Sequence, residues 1–272
     1  KTGEMAHAVT FGLQKARQNP SDAPRMSSGA RLFPNDNAAL SLLPVRGVGV
    51  GYRVEHPIFA AYADVHNNTA TKDTSTAASA NEAEGLYYGA RAEFSFSPEW
   101  FSLKRVESYH GLEGRSAVLG MSYAVNDGAV NAANTVTTVV YGIDALVHLN
   151  ALTAYAEYRH ANTETEPFAG ATTDIDAEVM LAQLGYAFPL DGGTVIEPAL
   201  RYQIIDNNTD ATETSSFGNM SQSGGSGDQI DLGLNYYMDG HGNKLQLAYS
   251  IWEAESGSAE ANIIRLQHQF NF

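Results

Sequence analysis

The sequence predicts an all-β protein, a transmembrane antiparallel up-and-down β-barrel that forms one domain over residues 1–272. Three observations predict this fold class: segments in which apolar and polar residues alternate, connections that are alternately short and long, and a final segment that ends on Phe272. A period of two is typical of strands with one apolar face, and lipid-embedded barrels have short turns at one end and long loops at the other. The sequence contains no run of about 18 apolar residues that could form a membrane-spanning helix.

The strands are predicted from alternation that continues over about eight or more residues. In the clearest segment, 229–238, Ile230 and Leu232 fall on one face while Asp231 and Asn235 fall on the other. Twelve such segments can be marked, which predicts twelve strands in this chain. They cover residues 6–14, 47–54, 59–66, 86–96, 116–125, 135–149, 151–160, 176–188, 194–206, 228–238, 243–252 and 261–272.

The last predicted strand has a pattern that suits the closing strand of a barrel. Ile264 and Leu266 share the face that ends on Phe272, whereas Arg265 and Gln267 lie on the opposite face. Lipid cannot satisfy the backbone groups of an open sheet edge, so a terminal strand in a membrane must pair with another strand. The pattern therefore favours a membrane barrel over a soluble sheet.

The connections between the predicted strands alternate in length. Short links are predicted at 55–57, 150, 190–193 and 239–242, and long polar links at 67–85, 126–134, 161–175, 207–227 and 253–260. The long links are rich in Ala, Thr, Ser, Asn, Asp and Glu, so we interpret them as solvated loops. Their acidity could attract divalent cations, but no pattern fixes a metal site.

One connection, residues 15–46, has the opposite charge from the rest of the chain. Five cationic and two acidic residues give it +3, which leaves −18 for the remainder of a chain whose total is −15. It is either a stray basic loop or a constriction loop folded into a pore, where positive charge biases which ions pass. The candidate constriction residues are Lys15, Arg17, Arg25 and Arg31.

The polar faces of the predicted strands carry charge of both signs. Charged side chains would be intolerable in a dry core, so these faces are predicted to line a pore. The predicted wall contains six cationic and six acidic residues, so we expect little net electrostatic field in the pore. The predicted pore-lining residues are Arg53, Asp64, Arg91, Glu93, Asp144, Glu157, Arg159, Glu197, Arg201, Asp231, Lys244 and Arg265.

Composition excludes some partners. The net charge of −15 argues against nucleic acid, which needs a basic surface. The absence of Cys fits a protein that passes through an oxidising compartment. No signal peptide precedes Lys1, so we expect either a processed chain or one that lacks its true start.

A barrel of this size also suggests an outer-membrane phospholipase, which would need a Ser nucleophile and a His base at the lipid boundary. His7, His160 and His268 project to the lipid face of predicted strands, but none of those strands contains a Ser. We therefore predict no catalytic residue, no cofactor and no metal site.

The segment 228–272 resembles the closing hairpin of the phosphate-selective porin O and P family of outer-membrane porins, most clearly over 231–250 and 265–270. Weaker similarity extends through 88–94, 141–145 and 155–158 to the hairpin 47–67. The resemblance implies a homotrimer of 16-stranded barrels in the bacterial outer membrane, with about four N-terminal strands absent from this chain. It also places 15–46 at the third extracellular loop, which folds inward.

The expected partners of such a porin are outer-membrane lipid, lipopolysaccharide, and the small ions and solutes that diffuse through it. Phosphate-selective members resemble one another in a dense ladder of lumen Arg and a cluster of Lys, whereas the wall predicted here is balanced. We therefore expect general passive diffusion rather than phosphate selectivity. The alternative is a non-conducting barrel that scaffolds a partner protein.

Overall fold

The computed structural model describes residues 5–15, 31–34, 46–67, 85–96, 108–130, 134–167, 169–207, 226–255 and 260–270. Antiparallel β-strands dominate these ranges, and the sole helical element among them is a 3₁₀ turn at Asp191–Gly193. The strands are β1 (Ala6–Lys15), β2 (Arg46–His56), β3 (Phe59–Asn67), β4 (Leu86–Phe94), β5 (Arg115–Val130), β6 (Asn134–Leu149), β7 (Leu152–Pro167), β8 (Thr173–Tyr186), β9 (Phe188–Pro189), β10 (Val195–Asp206), β11 (Gly227–Asp239), β12 (Asn243–Ala254) and β13 (Glu260–Phe270).

All thirteen strands belong to one sheet, and each long strand pairs with the next long strand along the chain. The order runs from β1 to β8 and then from β10 to β13, while the two-residue β9 pairs with β10. Strands β1 and β13 are the two edges, and within the described ranges they do not pair with each other. The predicted all-β, antiparallel up-and-down arrangement is confirmed.

Within the same ranges, no helix has both the length and the apolar character needed to cross a membrane.

The strand count differs from the prediction because the predicted strand 176–188 is interrupted. The backbone N–H of Ala187 still donates to the carbonyl of Ala151, at 2.9 Å, in register with the β7–β8 ladder. The interruption is on the β10 side, where Pro198 lacks an N–H and the pairing of β10 stops at Gly185 and resumes in the same register at Phe188. Pro189 lacks an N–H and ends β9. Within the described residues the sheet therefore has twelve long strands and one very short strand.

The prediction of a long loop is wrong for two segments, because strand pairing continues into both of them. The predicted loop 126–134 is largely taken up by the ends of β5 and β6, and 161–175 by the ends of β7 and β8. Polar pairs replace apolar ones there: Asn162 Nδ2 donates to Asp176 Oδ1 at 3.0 Å on one face. Apolar alternation stops in these segments, but the backbone ladder does not depend on it.

The two faces of the sheet differ sharply in burial and polarity. On β6, Ile143 is 61% exposed whereas its neighbour Asp144 is 6% exposed. Along the sheet, large apolar and aromatic side chains such as Tyr88 and Phe94 occupy the exposed face, and charged residues in the middle of the strands, such as Arg91 and Arg201, occupy the buried face. An apolar core cluster that includes Tyr87 and Val179 also lies on the buried face.

The two ends of the sheet also differ. At one end, termed here the short-turn end, the connections are 57–58, 150–151, 187–194 and 240–242. The connection 95–114 leaves from that same end but is twenty residues long, and its last part, 108–114, is described. The connections at the opposite, long-loop end lie largely outside the described residues.

The sequence predicts that the exposed face contacts lipid, and such contact would give a charge on this face a cost that depends on its depth. We expect Ile143→Arg, within the apolar band of β6, to lower the free energy of unfolding by about 2–4 kcal/mol. Thr137→Arg, on the same face of the same strand but beyond that band, should cost at most about 1 kcal/mol. Denaturant unfolding in lipid vesicles measures both values, and equal small effects would contradict a lipid-facing band.

Candidate functional site

The buried face of β4 to β7 carries two adjacent rows of charge that the strand register creates. Glu93, Asp144 and Glu157 stand at one level of the ladder, aligned through Gly120. Arg91 stands one level away, and Arg159 lies at that same level on β7. The alternation of inward residues therefore brings opposite charges within reach of one another.

Arg91 is the hub of the first ion-pair cluster. Its Nη1 and Nη2 donate to the two carboxylate oxygens of Asp144 at 2.6 and 2.9 Å, and its Nε donates to Glu93 Oε1 at 3.0 Å. The hydroxyl of Tyr62 also donates to Glu93. A two-pronged guanidinium–carboxylate contact is among the strongest pairings of side chains, and all three charged groups are buried.

Gly120 makes this contact possible. Arg91 lies on β4 and Asp144 on β6, so the guanidinium must cross over β5 between them. A Cβ at position 120 would lie 2.1 Å from Arg91 Nη2 and 2.7 Å from Asp144 Oδ1. Only glycine leaves the space through which Arg91 reaches Asp144.

A second ion pair lies on β7. Arg159 donates from Nη2 and Nε to Glu157 Oε1 at 2.6 and 3.0 Å. The other carboxylate oxygen of Glu157 accepts from the Tyr155 hydroxyl at 2.6 Å. Like the Arg91 cluster, this group compensates its charges within the wall.

A third cluster surrounds Asp231 on β10 to β12. Its carboxylate accepts from Arg201 Nε at 2.7 Å, from the amides of Gln203 and Gln229, and from the Ser250 hydroxyl. This wall is richer in amides than the β4–β7 wall, so its hydrogen-bonding groups are mainly neutral.

Glu197 on β10 lies closer to the short-turn end. Its Oε2 accepts from Tyr237 Oη at 2.5 Å and from Asn235 Nδ2 at 3.2 Å. In both of these contacts a neutral group donates to a carboxylate that is fully buried.

Residues 31–34, which belong to the basic connection, lie against the buried face of β8 and β10 to β12. The carbonyl of Arg31 accepts from Lys244 Nζ at 3.1 Å and from Gln246 Nε2 at 3.2 Å. The carbonyl of Leu32 accepts from Asn235 Nδ2 at 2.9 Å and from the same Gln246 amide at 3.2 Å. Wall donors therefore satisfy two consecutive backbone carbonyls of this segment.

Small wall residues provide the space for the side chains of this segment. Leu32 and Phe33 are at most 1% exposed and pack with Ala199 and Ala248. A Cβ at Gly233 would lie 2.8 Å from Phe33 Cε1, so a larger residue there would displace the ring. The Arg201 guanidinium lies over the same ring, 4.5 Å from its centroid, a favourable cation–π geometry.

All twelve predicted wall residues lie on one face of the sheet, and ten of them are buried. Arg53 and Arg265 are half-buried, and Arg53 pairs with Glu55 at 3.4 Å. Among the predicted constriction residues, Arg31 lies beside Lys244 and Lys15 is the last residue of β1, while Arg17 and Arg25 lie outside the described residues.

Sequence reasoning missed a second inward segment, Ser108–His110. The carbonyl of Ser108 accepts from Thr153 Oγ1 at 3.4 Å, and the ring of Tyr109 packs on Tyr237 with centroids 5.2 Å apart. The unusual length of the connection 95–114 at the short-turn end was the signal that could have revealed it.

The Arg91 cluster predicts an unusual sensitivity to a single methyl group. We expect Gly120→Ala to force the guanidinium away from Asp144 and to lower the free energy of unfolding by about 3 kcal/mol, the lower end of the cost of breaking a buried ion pair. Ser122→Ala, on the same face of the same strand, is the matched control and should cost much less. Denaturant unfolding in vesicles compares them, and equal losses would refute the role of the glycine.

The comparison with known protein families agrees with this arrangement of faces. The family model for phosphate-selective porin O and P matches residues 1–272, the whole chain. No curated protein matches the sequence significantly. The chain belongs to the phosphate-selective porin O and P family, a family of outer-membrane porins.

Proposed function

We propose that this porin-type channel allows passive diffusion of small hydrophilic solutes and ions across the bacterial outer membrane, with weak ion selectivity. The observation that carries the proposal is the combination of an apolar exposed face and a charged buried face on one up-and-down sheet. In a transmembrane barrel every second strand residue faces inward, and charged residues are expected at these positions because the inner wall meets water. Membership of a porin family supports the same function.

The basic connection 15–46 is proposed to fold into the lumen as the constriction loop. The contacts of this segment support the proposal, because polar donors on β11 and β12 bind the carbonyls of Arg31 and Leu32, and small wall residues accommodate the side chains of Leu32 and Phe33. A loop of this length without secondary structure of its own is usually functional or disordered. Arg17, Arg25 and Arg31 are the proposed narrow-point cations, with Lys15 at the base of the loop.

Weak selectivity follows from how the wall charges are used. Arg91, Arg159 and Arg201 each contact a carboxylate at 2.6–2.7 Å, so the field of each cation is largely offset by its neighbour. A ladder of cations that served a phosphate anion would instead present positive charge to the solute. We therefore propose that phosphate selectivity, which the family name describes, does not extend to this chain.

Barrel closure at sixteen strands, assembly as a homotrimer, and contact with lipid and lipopolysaccharide are proposed on the basis of the family. The exposed band of Leu, Ile, Val and aromatic residues supports lipid contact. The open edges at β1 and β13 support closure of the barrel. Lipid cannot hydrogen-bond to the backbone groups of an open edge, so in a membrane each edge must pair with another strand.

The two alternative functions are a scaffold that does not conduct and a phospholipase. The outward histidines that a phospholipase would use have other partners in the structure: His7 contacts Tyr52, His160 contacts two carboxylates, and His268 contacts Asn243. These contacts support a channel without catalysis. A recording of ionic current distinguishes a conducting porin from a non-conducting scaffold.

Single-channel recording in planar bilayers tests the proposed function and the constriction loop together. The wild-type protein should give discrete ohmic steps. Gly233→Val should raise the conductance of each step, because the added methyl groups occupy the space of the Phe33 ring and displace the 31–34 segment from the wall.

The control is Leu234→Val, which changes the neighbouring residue on the exposed face of β11. It should leave conductance unchanged. Silence of the wild-type protein across many insertions would favour the scaffold, whereas wild-type conductance in Gly233→Val would place the segment 31–34 outside the conducting path.

A further inference from the structure

The segment Ser108–His110, termed the strap, is anchored to two separate parts of the buried face at the short-turn end. On one side it meets β6 and β7 near the turn 150–151, and on the other it meets β10, β11 and the turn 240–242. In sheet order β8 lies between these two groups of strands. Three residues of chain therefore tie together strands that do not pair with each other.

The anchor on β6 and β7 is a histidine pair around one hydroxyl. The rings of His110 and His148 have centroids 3.7 Å apart. Thr153 Oγ1 lies 3.2 Å from His148 Nδ1 and 3.4 Å from His110 Nδ1, and it also donates to the Ser108 carbonyl at 3.4 Å. This arrangement suits two neutral imidazoles, because two imidazolium cations in contact would repel each other.

The anchor on β10 to β12 is made by Tyr109. Its ring packs against the apolar cluster that contains Val195 and Tyr237. Its carbonyl lies 2.7 Å from His241 Nε2, and its backbone also hydrogen-bonds to Glu197. Glu197 is connected through Asn235 to the carbonyl of Leu32, so the strap and the 31–34 segment are joined through two wall residues.

We propose that the strap forms a second constriction, at the short-turn mouth of the pore, and that protonation of its histidine pair releases it and widens that mouth. The proposal rests on the proposed porin function. It adds a narrow point remote from the basic loop and assigns its control to His110 and His148. The permeating species are the same small ions and solutes.

The titratable and charged groups around the strap determine the direction of the pH effect. His148 faces it from β6, Glu197 from β10, Tyr237 from β11, and His241 from the turn before β12. Lys244 on β12 lies 5.9 Å from the Tyr237 ring. Glu197 already accepts hydrogen bonds from Tyr237 and Asn235. Because protonation removes charge from a carboxylate but adds it to an imidazole, the nearest groups that gain charge on mild acidification are the histidines.

Burial supports the same direction. Desolvation lowers the pKa of His110 below its ordinary value of 6.5, since the packed site disfavours the imidazolium. A lowered pKa in the packed state means that the packing is fully stable above pH 6.5 and is weakened as the pH falls below it. The strap should therefore be seated at neutral pH and released in acid.

The test is single-channel conductance of the full chain in planar bilayers at pH 7.5 and pH 5.0. We expect the wild-type conductance to rise on acidification, with a midpoint below pH 6.5. The double variant His110→Gln with His148→Gln should lose this rise, because glutamine keeps a polar group there but takes up no proton. His56→Gln is the matched control: His56 lies at the same end but stacks on Phe59, and the rise should persist.

A cross-link tests the position of the strap independently of the histidines. The chain has no Cys, so the pair Ser108→Cys and Thr153→Cys introduces the sole two thiols. Oxidation should hold the conductance at its low, neutral-pH level at both pH values, and reduction should restore the rise. This readout keeps the proposal testable if the double histidine variant does not fold.

The possible failures are distinguishable. A wild-type protein that conducts equally at both pH values, a rise that survives in the double histidine variant, or a rise that survives in the oxidised cross-linked protein would each overturn the strap proposal. A wild-type protein that is silent at both pH values would instead overturn the proposed porin function.

Discussion

The structure depends on one constraint: charge on the buried face must be compensated within that face. Strand alternation directs Arg91, Asp144, Arg201 and Asp231 inward, where an uncompensated charge would be costly. Register answers this by placing Asp231 directly opposite Arg201 on the neighbouring strand, and Asp144 one level from Arg91 across the intervening β5. The same constraint shapes function, because a wall whose cations are held by its own carboxylates has less positive field to offer to an anion.

Compensation across a sheet needs space, and small residues provide it in two ways. Gly120 lets a guanidinium cross an intervening strand to its partner. Gly233, together with Ala199 and Ala248, leaves room for Phe33 to pack against the wall beside Arg201. The first use stabilises the wall, and the second holds a segment of the basic connection against it. In both cases the space left by a small residue allows the larger group, Arg91 or Phe33, to reach its position.

Much of this could be predicted from the sequence because the information is local. Period-two alternation gave the face of residues such as Ile143 and Asp144 correctly, and it gave most strands within a few residues. The alternation failed to predict the ends of some strands, where backbone pairing continues beyond the last apolar residues, as at Asn162 and Asp176. Backbone pairing does not need apolar side chains. The alternation also merged β9 with β8, because both keep one alternation and one register on β10, and the pairing is interrupted opposite Pro198.

The inward segments were harder to predict, for a physical reason. The basic charge of 15–46 suggested an inward loop, but the seat of Leu32 and Phe33 is assembled from β8, β10, β11 and β12. The strap had no composition signal, because a lone Ser-Tyr-His sequence acquires its role only through Thr153, Tyr237 and His241. Contacts of this sequence separation follow from the arrangement of the strands in the sheet and not from local preference.

The reversal potential under a salt gradient tests the central claim most directly. With wall charges paired, and with a Debye length of about 10 Å at 0.1 M salt screening the acidic loops, the potential should lie far from the ideal value for either ion. Inorganic phosphate should not block the current at low millimolar concentration. A near-ideal anion potential, or such a block, would show that cations of the wall are available to the solute and would contradict this account.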